Sequence, residues 1–283
     1  HAISAFCNAG FDLMGRYEAF SSLTGYASDV LVNITVMLLI IIGGIGFLVW
    51  DDILKCRLSF KNYSLHSKIV LVTTPVLLVG GAIGYFVFEQ NYTLQGNGIG
   101  EQILKSFFAS TTMRTAGFNT IDYASMSPSA SLLSDVLMMI GGSPGSTAGG
   151  MKITTIALVF LSMVSMLRGQ SDTIIGKRRV STILIKQAAV IILVYAVYIL
   201  AGTMLICHIE GLPMSNVLFE VISAVCTVGV TTGITPHLCA LSHIILIILM
   251  YGGRIGGFTL MLILGKQNKQ PPLRRPKENI LIG

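Results

Sequence analysis

The chain has 283 residues, 53% of them hydrophobic and only 11% charged, and 19 Lys and Arg against 13 Asp and Glu leave a formal net charge of +6. Soluble domains carry roughly 25% charged residues, so the charges here are too few to wet the surface of a soluble fold, and the composition points to a membrane protein. The five Cys (Cys7, Cys56, Cys207, Cys226, Cys239) have no metal-ligand spacing and read as small apolar fillers.

The chain opens on His1 with no recognisable signal peptide, and an earlier start is expected. Three uncharged runs read as spans: Val30 to Trp50, Ile69 to Phe88 with Pro75 inside it, and Ala188 to Cys207. About 20 helical residues cover the ~30 Å hydrocarbon core. Two more spans are interrupted. One, from Ala130 to Leu167, breaks at Gly141-Gly142-Ser143-Pro144-Gly145-Ser146-Thr147-Ala148-Gly149-Gly150. The other, from Leu241 to Leu264, contains Tyr251-Gly252-Gly253-Arg254-Ile255-Gly256-Gly257, and Gly at this density is expected to prevent a regular helix. Two segments, Gly100–Met113 and Ser215–Cys226, are too short to cross, because about 12 helical residues reach only ~18 Å. His1–Phe6 reads as the end of a third.

If the five spans alternate, fourteen of the nineteen basic residues fall on one side: Lys55, Arg57, Lys61 and Lys68; Arg168, Lys177, Arg178, Arg179 and Lys186; and Lys266, Lys269, Arg274, Arg275 and Lys277. The positive-inside rule makes that side cytoplasmic and puts the short segments outside. Topology thus accounts for the net charge, which carries no nucleic-acid meaning.

Three stretches align without gaps: Ser4–Asp12, Thr111–Asn119 and Ser223–Thr231. Each has a hydroxyl residue six before a Gly, and the glycines, Gly10, Gly117 and Gly229, are 107 and then 112 residues apart. Each copy ends a short segment and precedes a span. Such a unit can bring a half-helix in from outside and return as extended backbone whose carbonyls replace a cation's hydration shell. The C-terminal end of the half-helix adds partial negative charge near the membrane centre. Thr227-Val228-Gly229 reads like the start of the K⁺-channel signature. Single Gly turns between helices are commonplace; three aligned copies in the same context are not.

At Cys7–Asp12, Arg114–Asn119, Thr227–Gly233, Gly141–Lys152 and Tyr251–Gly256 the chain resembles the Trk/Ktr/HKT superfamily of K⁺ transporters, most like the membrane subunit of bacterial Ktr or Trk systems. The ending Arg275–Gly283 also looks Ktr-like. The resemblance implies an all-α polytopic membrane protein with K⁺-channel-like repeats of helix, pore helix, filter loop and helix around one central pore. It divides the chain into residues 1–50 (remnant of repeat 2), 51–167 (repeat 3, with a gate loop at 141–150), 168–265 (repeat 4) and 266–283 (a cytoplasmic tail), with the first repeat absent. That first filter segment is where the superfamily separates K⁺-selective from Na⁺-permeable members.

The expected cation ligands are the carbonyls of Asn8, Ala9, Gly10, Thr115, Ala116, Gly117, Thr227, Val228 and Gly229, with Cys7, Arg114 and Cys226 one step deeper. Arg114 is expected to point behind the filter toward a carboxylate such as Glu101 or Glu220, since buried charges need partners. Arg254 sits mid-span, where a charge suggests function; it is read as a barrier below the filter that also holds the gate loop. Lys152 either shares that work or snorkels to the interface. The gate loop itself could instead be a passive kink. Asp12, Asp122 and Asp135 are placed near the outer mouth, most simply as solvated carboxylates and caps.

The expected function is K⁺ uptake across a bacterial plasma membrane, with K⁺ as the transported ion, Na⁺ as a candidate activator and no organic cofactor. The resemblance further implies a homodimer on a cytosolic ring of nucleotide-binding (ATP/ADP) regulatory subunits, and membrane lipid as a partner. The chain is not read as an enzyme: Gly145–Lys152 fails the phosphate-loop pattern, because Met151 intervenes and Ile153 follows Lys152. A Na⁺-permeable transporter of the same architecture and a broken-helix secondary transporter are the alternatives.

Overall fold

The computed structural model describes residues 1–16, 21–57, 59–170, 172–175 and 178–255. It is built almost wholly of helices: α1 (Ala2–Phe6), α2 (Val30–Ile45), α3 (Phe47–Cys56), α4 (Leu65–Glu89), α5 (Ile99–Thr112), α6 (Pro128–Met139), α7 (Ile153–Leu167), α8 (Thr182–Glu210), α9 (Met214–Val225) and α10 (Ala240–Ile255). A short antiparallel pair, β1 (Ile174–Ile175) and β2 (Arg178–Arg179), precedes α8.

Among the described residues α4 and α8 are each long and apolar enough to cross a membrane alone, and α2 with α3 would make a third span if that bent pair is one. Unlike a soluble helix, α8 is apolar on its exposed side as well as its buried one. Tyr195, Ile199 and Ile206 turn inward and are buried, while Leu193, Val197, Leu200 and Met204 are 64%, 54%, 57% and 72% exposed. A continuous exposed apolar stripe at helical spacing suits contact with lipid. Pro75 sits inside α4 without ending it; the backbone hydrogen bond it removes is tolerable where neighbouring helices surround the gap.

The short segments lie where the sequence suggests, as α5 and α9, and α1 holds the position of a third. Of these, α5 docks on α4 and α2, and α9 on α8 and α10. The largest core cluster gathers around α9, with Val217, Phe219, Val221 and Val225 packed on Tyr195, Ile199 and Leu246.

Two expectations about the spans need correction. The run Val30–Trp50 is not one straight helix: α2 stops at Ile45 and α3 leaves at 91° through Gly46, whose φ is +95°. A Cβ there would sit 2.9 Å from the Pro144 carbonyl oxygen, so the bend is where α2 meets the Gly141–Gly150 loop. The Trp50 indole N–H reaches back to the Ile42 carbonyl at 3.1 Å, satisfying one group the bend frees. At the other end, Tyr251–Ile255 does not break; α10 runs through it as regular helix. Gly253 serves close packing instead, because a Cβ on it would lie 1.7 Å from the Val225 carbonyl oxygen. Gly256, Gly257 and the tail 266–283 lie outside the described residues, as does Lys177.

Candidate functional site

The three Gly-centred segments converge at the C-terminal ends of α1, α5 and α9. A Cβ on Gly10 would lie 2.8 Å from the Ala116 carbonyl oxygen, and one on Gly117 would lie 2.5 Å from that of Val228. The middle segment therefore touches both of the others. Thr111 through Phe118 are all buried, whereas Cys7, Ala9 and Gly229 stay exposed on the flanks.

The backbone follows one rule in all three copies. The residue two before the Gly and the Gly itself have positive φ: Asn8 and Gly10 at 49° and 71°, Thr115 and Gly117 at 66° and 83°, Thr227 and Gly229 at 54° and 91°. Positive φ on a β-branched Thr is a genuine outlier. An alternation of hand lets successive carbonyls turn the same way, which an ordinary strand forbids. Among the described residues the carbonyls of Asn8, Ala9, Gly10, Thr115, Ala116, Gly117, Cys226, Thr227, Val228 and Gly229 accept no hydrogen bond. Cys7 completes the first copy one step deeper, and its carbonyl is likewise unengaged.

Hydroxyl groups hold the segments to their helices. Ser223 Oγ donates to the Val230 carbonyl at 2.7 Å and accepts from the Gly229 N–H at 3.2 Å. In the middle copy that first role passes to Thr112, which donates to the Phe118 carbonyl at 2.7 Å, while Thr111 back-bonds to Phe107 within α5. A gap-free alignment pairs Ser223 with Thr111 and so misplaces this hydroxyl by one residue. Beyond the third Gly, the Glu220 carboxylate accepts from the Thr231 hydroxyl, from the Thr232 N–H at 2.9 Å and from the Thr235 hydroxyl at 2.8 Å. Nothing in the local sequence of Glu220 signals that clamp, because its partners lie 11 to 15 residues away across the turn.

Among the described residues Arg114 is not paired with a carboxylate, contrary to expectation. Its Nη2 reaches the Gly141 carbonyl at 3.5 Å, and its Nε has no partner among the described residues. Glu220 is occupied by the threonines, and Glu101 pairs with Lys105 at 2.8 Å. The side chain therefore does lie behind its segment, but against backbone carbonyl, whose partial negative charge is aimed at it by the loop.

The Gly141–Gly150 loop is pinched at its base and seated beneath the three segments. The Gly141 N–H donates to the Met151 carbonyl at 2.9 Å, and the Ile153 N–H to that of Gly142 at 3.0 Å. The loop therefore leaves α6 and returns to α7 almost at the point of departure. From this base it reaches each segment in turn. The Thr147 hydroxyl lies 3.1 Å from both the Phe6 carbonyl oxygen and Asn8 Oδ1. The Gly149 N–H donates to Thr115 Oγ1 at 3.1 Å. A Cβ on Gly149 would lie 1.8 Å from Thr227 Oγ1 and 2.8 Å from the Cys226 carbonyl oxygen. Ser143 N–H bonds the Gly44 carbonyl at 3.0 Å and its hydroxyl meets His66 Nε2 at 3.3 Å, while Ser146 Oγ folds back on the Ser143 carbonyl at 2.6 Å. Gly145 lends its carbonyl to the Phe47 N–H at 3.1 Å, beside Pro144.

Both cations set apart in the sequence bind this loop. Arg254 Nη1 donates to the Thr147 carbonyl at 3.3 Å, and Lys152 Nζ to the Ala148 carbonyl at 2.7 Å. Lys152 therefore folds onto the loop instead of snorkelling away from it. Of the three expected mouth carboxylates, Asp122 lines a cavity of about 340 Å³ shared with Thr24, Asn119, Thr231 and Gly233, which follow the three segments. Asp12 forms an Asx turn with the Met14 N–H at 2.8 Å. Asp135 is buried within α6 and is no mouth residue.

A recurring signal went unread in the sequence. A Gly-Gly pair follows each copy: Gly43-Gly44, Gly141-Gly142 and Gly252-Gly253. In the first and third, one glycine lets its helix approach the carbonyl four residues before the segment's own Gly: Gly43 meets the Phe6 oxygen and Gly253 that of Val225, with a Cβ at 1.9 and 1.7 Å.

The family model described as "TrkH: Cation transport protein" matches residues 1–273. Among individual relatives, the potassium/sodium uptake protein NtpJ of Enterococcus hirae is 38% identical over 290 residues, covering 100% of this chain and 63% of that protein. The Ktr system potassium uptake protein B of Bacillus subtilis is 35% identical, and the protein of that name from Vibrio alginolyticus 36%; each alignment covers 100% of this chain and 62% of the relative. The chain thus spans less than two thirds of the length of these curated relatives. The crystal structure of the potassium transporter TrkH from Vibrio parahaemolyticus superposes with a TM-score of 0.74 at 18% identity, covering 93% of this chain and 56% of that one, which speaks for the fold alone.

Proposed function

The chain belongs to the TrkH family of cation transport proteins, a family of multi-pass membrane transporters and not of enzymes, and from that premise we propose that it carries K⁺ into a bacterial cell through a pore centred on Gly10, Gly117 and Gly229. The observation that carries this reading is the repeated alternation of positive φ, with a run of unengaged carbonyls in each of the three segments. Carbonyl oxygens so arrayed can substitute for the hydration shell of a monovalent cation. Three pore helices whose C-terminal ends converge there add partial negative charge. The segments, with Cys7, Arg114 and Cys226 beneath them, act as unequal sectors of one filter within repeats at 1–50, 51–167 and 168–265.

The loop Gly141–Gly150 acts as the gate. It is supported in that role by its hydrogen bonds to the first two segments, its packing against the third, and the two cations on its carbonyls. Arg254 and Lys152 hold it closed and oppose cation passage electrostatically. A cytosolic nucleotide-binding ring, under a homodimer of the full-length protein, would release it, and Na⁺ would act as an activator; B. subtilis relatives named as Ktr system uptake proteins favour such a partner.

The test is ⁸⁶Rb⁺ uptake into proteoliposomes carrying the full-length protein, with K⁺ and Na⁺ as competitors. Competition by K⁺ well above that by Na⁺ supports the reading. Equal competition favours the second reading, a transporter of both ions, which the name of the E. hirae relative brings forward. No saturable uptake of either ion, with the regulatory partner present, overturns both.

A further inference from the structure

Between α4 and α7, lined by no residue of the three segments, lies a groove of about 900 Å³. Its walls are apolar, with Ile69, Val72 and Val76 from α4 and Ile156 and Phe160 from α7. Among the described residues its charged lining groups are Lys61, Lys68 and Arg178, with no carboxylate beside them. None of the three has an ion-pair partner among the described residues. Lys68 Nζ donates to the Lys61 carbonyl at 2.7 Å, which gathers two of the cations. The β1–β2 pairing sets Ile175 directly opposite Arg178, so the hairpin presents an apolar group and a guanidinium to the groove together.

The groove has the dimensions and polarity of half a bilayer. From Lys68 to Leu77, both lining it, α4 advances nine residues, or about 14 Å, close to half of the ~30 Å hydrocarbon core. The cations sit at the end of α4 that the positive-inside rule makes cytoplasmic, where anionic lipids concentrate. The apolar end reaches Ile140 and Ile153, the residues that flank the pinched base of the Gly141–Gly150 loop.

We propose that this groove holds one anionic phospholipid of the cytoplasmic leaflet, its phosphate against Lys61, Lys68 and Arg178 and an acyl chain lying along α4 to the base of the loop. Charge complementarity decides the occupant. A second copy seated here by a two-fold axis would set the same cationic rim against itself, and a zwitterionic lipid would leave the three cations without a net counter-charge. The site gives the leaflet a direct contact with the element that bears on the three segments.

The test uses the full-length protein with a photoactivatable benzophenone residue in place of Phe160, in nanodiscs of phosphatidylcholine with one tenth phosphatidylglycerol. Illumination and intact-mass spectrometry identify what occupies the groove, independently of transport. The expected adduct is one phosphatidylglycerol, enriched over its share of the bilayer and reduced at least fivefold in K61A/K68A/R178A. Those side chains lie at the rim, so the triple variant should fold; as a second check Ala157→Trp, which fills the groove, should also reduce the adduct. Phosphatidylcholine adducts in proportion to the bilayer, an adduct insensitive to the triple substitution, or a protein–protein adduct would each overturn the proposal.

Discussion

Thr115 and Thr227 adopt positive φ although both are β-branched, and such conformations cost on the order of 1–3 kcal/mol each. Thr115 has a bond that offsets part of this, the Gly149 N–H on its hydroxyl. Thr227 Oγ1 is buried without a hydrogen-bond partner, so the tightly wound backbone is held there by packing against Cys226, Val228 and the loop. At the glycines no such side chain fits. Gly117 combines φ +83° with a Cβ position 2.5 Å from the Val228 oxygen. Gly117→Ala should therefore lower Rb⁺ uptake by about tenfold or more, a barrier change of about 1.4 kcal/mol, while the purified protein still elutes as a single folded species. Uptake at the wild-type rate would remove Gly117 from the conducting path. Gly253 differs, since its φ is helical and only space is at stake. Gly253→Ala overpacks α10 against Val225 and should cost about 1–3 kcal/mol, read as a fall of about 2–4 °C in Tm for each kcal/mol. An unchanged Tm would mean that α10 shifts freely on α9.

Among the elements, the Gly141–Gly150 loop is the one that bears on all three segments. It is tied to the segments by hydrogen bonds of small side chains and by contact at Gly149, and to the rest of the protein by Arg254 and Lys152. A hydrogen bond to a charged group is worth about 1.5–3 kcal/mol. Arg254→Ala should thus shift the loop toward release and raise Rb⁺ uptake by about fivefold or more in the absence of any regulatory partner. Removing residues 143–147 should raise it at least as far. If both variants transport at the wild-type rate, the loop is a passive kink. The bend at Gly46 belongs to the same contact, because the loop's Pro144 and Ser143 pack directly against Gly46.

For the whole molecule, the orientation is testable without transport. Lys61, Lys68 and Arg178, from two basic stretches far apart in the chain, meet around one groove. Asp122 instead lines the cavity shared by residues that follow the three segments. In a background with the five cysteines replaced, Asp122→Cys should react with a membrane-impermeant maleimide on intact cells, and Lys61→Cys only after permeabilisation. The reverse pattern would invert the protein and move the segments to the cytoplasmic side.

The membrane class, the short helices α5 and α9, and the repeated Gly segments were legible in the sequence by itself, because each is written in composition or in a local run of a dozen residues. Helix length against bilayer thickness and the small size of Gly need no knowledge of distant neighbours. Other features rest on residues brought together from far apart, and only the tertiary structure decided them. Tyr251–Ile255 stays helical because Gly253 is spent on the approach to Val225, not on a break. Arg114 lies against the Gly141 carbonyl, while Glu220 holds three threonines. Val30–Trp50 bends at Gly46, against which a loop about a hundred residues later packs. In each case a residue's local preference was weaker than the packing and hydrogen bonding imposed by the partner across the fold.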